Sequence, residues 1–299
     1  MTSTPTAGRL LDAGTTSSVR SLSAASAAAD GHPPVSEQVL LHLGEDRPGR
    51  LHLLVHDGPA VIGYAHLEAG TAELVVAPDR RREGVGRRLL AELLRRAPGV
   101  QVWSHGGLPA GTHLAEALGM TRGRVLHQLR RPLDAPLDPV ALPAGVTVRT
   151  FIVGADEAAW TALNALAFAH HAEQGGWDID EVLAREHEAW FDPAGFFLAE
   201  RGDRLVGFHW TKVHDEQPPV GEVYVVGVDP SEQGTGLGSA LTLTGLHHLR
   251  DRGLAEVLLY VDDDNPRAVR VYTRLGFTVA STDVQWVDGG SRQHDTSRQ

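Results

Sequence analysis

Val223-Tyr224-Val225-Val226-Gly227-Val228-Asp229-Pro230 leads, two residues later, into Gln233-Gly234-Thr235-Gly236-Leu237-Gly238-Ser239, and this junction decides the fold. The apolar, β-branched run closed by proline predicts a strand. Three alternating glycines predict a tight turn, and the pattern from Ser239 to Arg252 predicts a helix. Strand, glycine turn and helix start in that order make an anion site. The first helical turn has N–H groups without intrahelical partners, the helix dipole adds partial positive charge, and glycine lets the backbone approach a ligand closely. One such turn is weak evidence, because many glycine-rich turns are only turns.

Here the pattern occurs twice. Ala72-Glu73-Leu74-Val75-Val76-Ala77-Pro78 parallels the strand above, and Arg81-Arg82-Glu83-Gly84-Val85-Gly86 parallels its turn, leading into a helical pattern from Arg87 to Arg96. Upstream, Leu53 to Tyr64 and Phe197 to Phe208 each read as a β-hairpin around a glycine turn. Downstream, Leu118-Gly119-Met120 matches Leu275-Gly276-Phe277. Every landmark recurs in the same order, which marks an internal duplication. The proline-rich stretch from Arg131 to Pro143 separates the copies and predicts a linker. A strand is expected at Val146-Thr147-Val148-Arg149 and a helix from Ala155 to Phe168. The expected division is a disordered tail over 1–16, an N-terminal domain over 17–135, a linker over 136–145, a C-terminal domain over 146–288 and a flexible tail over 289–299.

The chain has 299 residues, 42% hydrophobic and 22% charged, enough for two globular domains with cores of their own. A formal net charge of −11 argues against a broad nucleic-acid surface and suits a cationic substrate such as an amine. No cysteine is present, so disulfides, thiolate metal sites and cysteine nucleophiles are excluded together. The apolar runs are too short for a membrane span, and the Ser-, Thr- and Ala-rich start lacks a signal-peptide pattern, so a cytoplasmic protein is expected, without membrane or nucleic-acid partners and as a monomer. Lys212 is the only lysine among many arginines. Either a compact ammonium is required there, or a lysine has survived on a solvated strand.

The repeated motif resembles the acetyl-CoA loop of the GNAT superfamily of N-acetyltransferases. Asp264-Asn265-Pro266-Arg267-Ala268-Val269-Arg270-Val271-Tyr272-Thr273-Arg274-Leu275-Gly276-Phe277 resembles the same superfamily's second signature. A Walker A loop is ruled out by the missing Gly-Lys-Ser/Thr, and no acidic residue stands where a dinucleotide-binding Rossmann unit needs one. The resemblance implies an α/β (α+β) fold of two tandem GNAT acyl-CoA N-acyltransferase domains, each a mixed central β-sheet flanked by helices. It also implies that Val226, Gly227 and Val228 pair with the pantetheine arm of acetyl-CoA, that Gln233 to Ser239 hold its pyrophosphate, and that Asn265, Pro266, Arg267, Ala268, Val269 and Arg270 line its other side.

Aligning the Leu-Gly ends places Asn265 opposite Leu108, Tyr260 opposite Trp103 and Tyr272 opposite Ala115. The N-terminal copy thus keeps a cofactor loop but lacks the hydroxyl that could protonate a leaving thiolate, so catalysis is expected in the C-terminal copy. Tyr272 is the candidate general acid, its alternative being a core aromatic of the last helix. Glu222, at the start of the central strand, is the candidate general base, its alternative being an ordinary strand-edge carboxylate.

Further segments, among them Ala172-Glu173-Gln174-Gly175-Gly176-Trp177, Gly207-Phe208-His209-Trp210-Thr211-Lys212-Val213-His214 and Gly221-Glu222, resemble one family within the superfamily, the mycothiol synthases. That resemblance implies acetyl transfer from acetyl-CoA to the cysteinyl amine of Cys-GlcN-Ins, with Glu37, Glu173, Lys212, Glu222 and Tyr260 touching this substrate. It further implies a second acetyl-CoA held by Leu74, Val75 and Val76 with Arg82, Glu83, Gly84, Val85, Gly86 and Arg87. The pairs His170-His171 and His247-His248 read as surface or helix-face histidines, and no metal is expected. Rival readings are a GNAT enzyme acting on an aminoglycoside or a protein N-terminus, and a non-catalytic acyl-CoA sensor.

Overall fold

The computed structural model describes residues 4–170, 174–214 and 217–289. In the first half of the chain, β1 (Thr6–Gly8), α1 (Ala13–Asp30) and α2 (Glu37–Leu41) precede β2 (Leu51–Asp57), β3 (Ala60–Glu68) and β4 (Thr71–Val76). Then come α3 (Val85–Arg96), β5 (Gln101–Ser104), α4 (Pro109–Ala117) and β6 (Thr121–Pro132). The second half repeats the series: β7 (Val146–Thr150), α5 (Glu157–Ala167), α6 (Ile179–Glu186), β8 (Phe196–Arg201), β9 (Arg204–His214), β10 (Val220–Val228), α7 (Leu237–Asp251), β11 (Glu256–Asp262), α8 (Pro266–Arg274) and β12 (Thr278–Val287).

Local chemistry sets the ends of these elements. Asp12 caps α1 by accepting from the Thr15 N–H at 2.7 Å, and Gly31 ends it at φ 72°. In α3, Val85, Leu89, Leu90 and Leu93 form one buried stripe, each side chain worth about 1.5–3 kcal/mol of burial, while Arg87, Arg95 and Arg96 are exposed.

Two compact units result. The first runs to His127 and includes Asp262–Asp264 and the end of the chain from Ser281; the second comprises Gln128–Val261 and Asn265–Ala280. In the first, the strand order is β1-β2-β3-β4-β5-β12, and in the second β7-β8-β9-β10-β11-β6. The first unit's core gathers Leu53, Val55, Leu89, Leu93, Val102 and Trp286. The second has an aromatic core on one sheet face, built on Trp160, Phe196, Phe208 and Trp210, and an aliphatic one where α7 and α8 pack.

The hairpins, the two central strands and the helices after both glycine turns form as expected. The boundaries differ. Thr6–Gly8, inside the span expected to be a tail, pairs antiparallel with His52–Leu54, and α1 starts at Ala13. The last strand also departs from a division at residues 136–145. Val284–Val287 pair antiparallel with Gln101–Ser104 of β5, and Val284 and Trp286 pack into the first unit's core. Both copies end in a strand of similar apolar pattern, so sequence alone does not tell which sheet each one completes.

Candidate active site

The second unit opens along β10. This strand pairs parallel with β11 at only two positions, Gly221 with Val257 and Glu222 with Leu258, although both strands continue well beyond. On its other side it pairs with β9 along its length, except for a register shift between Val223 and Val225 that leaves Tyr224 as a bulge. Past Glu222, the β11-facing edge of β10 therefore carries backbone groups outside any ladder, at Val226, Gly227 and Val228 among others. Gly227 is required by packing as well, since a Cβ there would meet Phe208 Cε1 at 2.6 Å.

Beyond the strand, Gly234 and Gly236 take φ of 84° and 91°, and α7 begins behind Gly236, with the Leu237 N–H donating to Thr235 Oγ1 at 3.4 Å. The amides of its first turn, at Leu237, Gly238 and Ser239, head the cradle expected from the sequence. Arg267, at the start of α8, donates to Gln233 Oε1 at 2.9 Å, so the two predicted cofactor motifs meet. Asn265 caps α8, its Oδ1 accepting from the Ala268 N–H at 3.1 Å behind Pro266 at the first helical position.

Glu222 is buried and lies opposite Lys212 in the ladder. Its Oε2 is 2.7 Å from His214 Nε2, a partner that the sequence reading did not identify. Lys212 Nζ stands over the rings of Trp190 (4.3 Å) and Tyr224 (5.3 Å), a cation–π setting. Tyr224 is fixed in turn by Arg185, whose Nε donates to its hydroxyl at 2.7 Å while its guanidinium stacks 3.7 Å over Trp177. Sequence reasoning also missed this aromatic shelf. One signal was available: Val223 to Pro230 is one residue longer than Ala72 to Pro78, as an inserted bulge requires.

Val223, next to Glu222, points to the opposite face and packs with Leu243, Leu246, Leu259 and Tyr272. The Tyr272 ring is buried edge-on to Phe277, and burial pushes its hydroxyl up to about 12. That hydroxyl has no hydrogen-bond partner among the described residues, yet it is not among the polar atoms sealed from solvent. Glu222 and the core that holds Tyr272 thus lie on opposite faces of the β10 strand. Tyr260, on β11, is 39% exposed, and its hydroxyl accepts from Gln128 Nε2 at 2.8 Å. Glu37 opens α2 of the first unit, behind the Ser36 cap. Glu173 and His171 lie outside the described residues. His247 Nε2 contacts the Asp138 carbonyl at 2.8 Å and His248 packs edge-on to Phe197. Among the described residues, no cluster of three or more His, Asp or Glu could hold a metal.

The first unit carries the same loop. Gly84 caps α3 at φ 79°, and Arg82, at the position of Gly234, takes φ 66°, left-handed like its counterpart despite its side chain. Strands β4 and β5 pair only at Thr71 with Gln101 and at Ala72 with Val102. A 710 Å³ cavity opens beyond them, lined by Leu74, Val75, Val76, Gly84, Gly86 and Ala115 among others. Its strand carboxylate is committed elsewhere. Glu73 accepts from the Ser36 N–H and faces His105 (Nε2 to Oε2, 3.6 Å), whose Nδ1 lies 2.9 Å from Asp283. Burial disfavours the charge on His105, but the contacts with Asp283 and Glu73 outweigh it and raise its pKa to about 10. Glu73 moves down: burial opposes this, and His105 and Ser36 prevail.

The acetyltransferase (GNAT) family matches the chain twice, over residues 19–118 and 162–277. The chain is 54% identical over 277 residues to the mycothiol acetyltransferase of Thermobispora bispora, covering 90% of this chain and 94% of that protein. It is 55% identical over 278 residues to that of Thermomonospora curvata, covering 90% and 92%. Among solved structures, it resembles a tandem GNAT protein from the clavulanic acid biosynthesis pathway, with a TM-score of 0.70 and 22% identity, covering 95% of this chain and 98% of that one. At that identity the likeness concerns the fold alone.

Proposed function

We infer the reaction from one premise: this chain belongs to the mycothiol acetyltransferase family of GNAT enzymes. It is an acetyl-CoA-dependent N-acetyltransferase, and it moves the acetyl group to the cysteinyl amine of Cys-GlcN-Ins, giving mycothiol and CoA.

The observation that carries the reading of the site is the opening of β10 away from β11 just past Glu222, beside a helix start that follows two left-handed glycines. These features fit the co-substrate: unpaired strand groups at Val226–Val228 suit the amides of pantetheine, and the first-turn amides of α7 at Gly238 and Ser239 suit a diphosphate. The first unit repeats both features, which supports a second acetyl-CoA at Leu74–Val76 and Arg82–Arg87.

A free α-amino group titrates near 7.7–8.0, so the substrate amine is mostly an ammonium at neutral pH and has to lose a proton before it attacks. Glu222, buried on the face that carries Lys212, accepts that proton directly or through one water. Tyr272, kept protonated by its raised pKa, donates toward the sulfur as negative charge builds there. Lys212, Tyr260, Glu37 and Glu173 are assigned to the hydroxyls and carbonyl of the sugar–inositol–cysteine substrate, on the family resemblance.

Thiol release, followed with purified protein, acetyl-CoA and Cys-GlcN-Ins, tests the assignment. Turnover with Cys-GlcN-Ins far above that with aminoglycosides or peptide N-termini is expected. Preference for either of those amines, or cofactor binding without turnover, refutes it.

A further inference from the structure

We propose that His214 is the positioning residue of the base, locking one carboxylate oxygen of Glu222 so that the other is presented to the substrate amine. The inference rests on the assignment of Glu222 made above and deepens it.

In the β9–β10 ladder Glu222 stands opposite Lys212, and His214 stands opposite Val220. His214 is thus the diagonal neighbour of Glu222 on the same sheet face, within reach of a long side chain. The contact is short, 2.7 Å from Nε2 to Oε2. Two atoms this close, one a carboxylate oxygen, need a proton between them, so the ring presents an N–H and the oxygen accepts it. Among the described residues Glu222 has no other hydrogen-bond or ion-pair partner. Its Oε1 is not among the polar atoms sealed from solvent.

The cross-strand cation does not take this role. The Lys212 ammonium lies against Trp190 and Tyr224, and the bulge brings Tyr224 into that place. A direct Lys–Glu ion pair would tie the carboxylate to a full charge and weaken it as a base. The imidazole instead supplies one directional bond, which selects a carboxylate rotamer and leaves the second oxygen open. The side chains differ in exposure as this division requires: Glu222 at 8% and His214 at 28%. The buried base is anchored by a group at the rim, and its orientation does not depend on the substrate.

The test compares His214→Leu, His214→Gln and His214→Asn in the wild-type and Glu222→Gln backgrounds, with Cys-GlcN-Ins and acetyl-CoA. A base displaced by about 1 Å costs about 10²-fold, so His214→Leu should lower kcat by about that factor and leave the KM for acetyl-CoA unchanged. The glutamine amide N–H can stand where the ring Nε2–H stands, so His214→Gln should recover most of the loss. The shorter asparagine should not, although it preserves polarity and, by thermal unfolding, the fold. In the Glu222→Gln background none of the three should lower kcat further. Wild-type kcat in His214→Leu and His214→Asn overturns the proposal. So does a glutamine variant as impaired as asparagine, or an undiminished loss in the Glu222→Gln background. Wild-type turnover is measured first: its absence counts against the proposed reaction, and its presence with unaffected variants counts against His214.

Discussion

Replacing His105 by glutamine should destabilise the first unit and flatten its response to alkali. The ring sits between two carboxylates, 2.9 Å from Asp283 and 3.6 Å from Glu73, with its side chain 16% exposed. The rise from the ordinary 6.5 to about 10 corresponds, at about 1.4 kcal/mol per tenfold change, to about 5 kcal/mol of preference for the charged ring. A raised pKa contributes fully below the unfolded value of 6.5, and the contribution is lost as pH rises through about 10. Glu73, shifted down, contributes fully above 4.5 and loses its contribution as pH falls. The cluster is therefore strongest between 4.5 and 6.5 and weakens toward alkaline pH. His105→Gln leaves two buried carboxylates without their cation, at a cost of about 3–5 kcal/mol, nearer the lower figure because the amide still donates hydrogen bonds. Hydrogen exchange of the β4 and β5 amides in mild urea, across the range from pH 6.5 to 10, reads the first unit by itself. Wild-type protection should fall with a slope approaching 1.4 kcal/mol per pH unit, about the limit for one proton, and the variant should show little slope. A flat wild-type profile over that range, or a loss below about 1 kcal/mol in the variant at neutral pH, refutes the charged-triad reading.

Tyr272→Phe should lower kcat by about 10²–10³-fold with the acetyl-CoA KM unchanged, whereas Ala115→Ser at the matching position of the first unit should leave turnover intact; steady-state thiol release decides both. Arg82→Gly should stabilise the first unit by about 1 kcal/mol in thermal unfolding, because it relieves a left-handed φ of 66° held by a residue with a Cβ. The same change should weaken acetyl-CoA binding to that unit if its side chain contacts phosphate, as measured by titration calorimetry on the Tyr272→Phe protein.

Much of the architecture is local and so was legible in the residues. Glycines at 234 and 236 permit the left-handed turn, the run from Val223 to Pro230 has no helical period, and the stripe of Val85, Leu89, Leu90 and Leu93 requires a buried helix face. Their recurrence in order was enough for a duplicated acyl-CoA fold, and the change from Tyr272 to Ala115 is the difference on which the proposed ranking of the two copies rests. What depends on strand register was not legible. The pairing of β12 with β5 and the ion cluster on Glu73 join residues far apart in sequence, and Asp283 reaches His105 only because β12 completes the first sheet; His214, eight residues from Glu222, meets it only through the register of β9 on β10. A two-residue side-chain period says which face a residue occupies but not which strand lies beside it. Strand neighbours are chosen by the packing of whole sheets, and only the tertiary structure decides them.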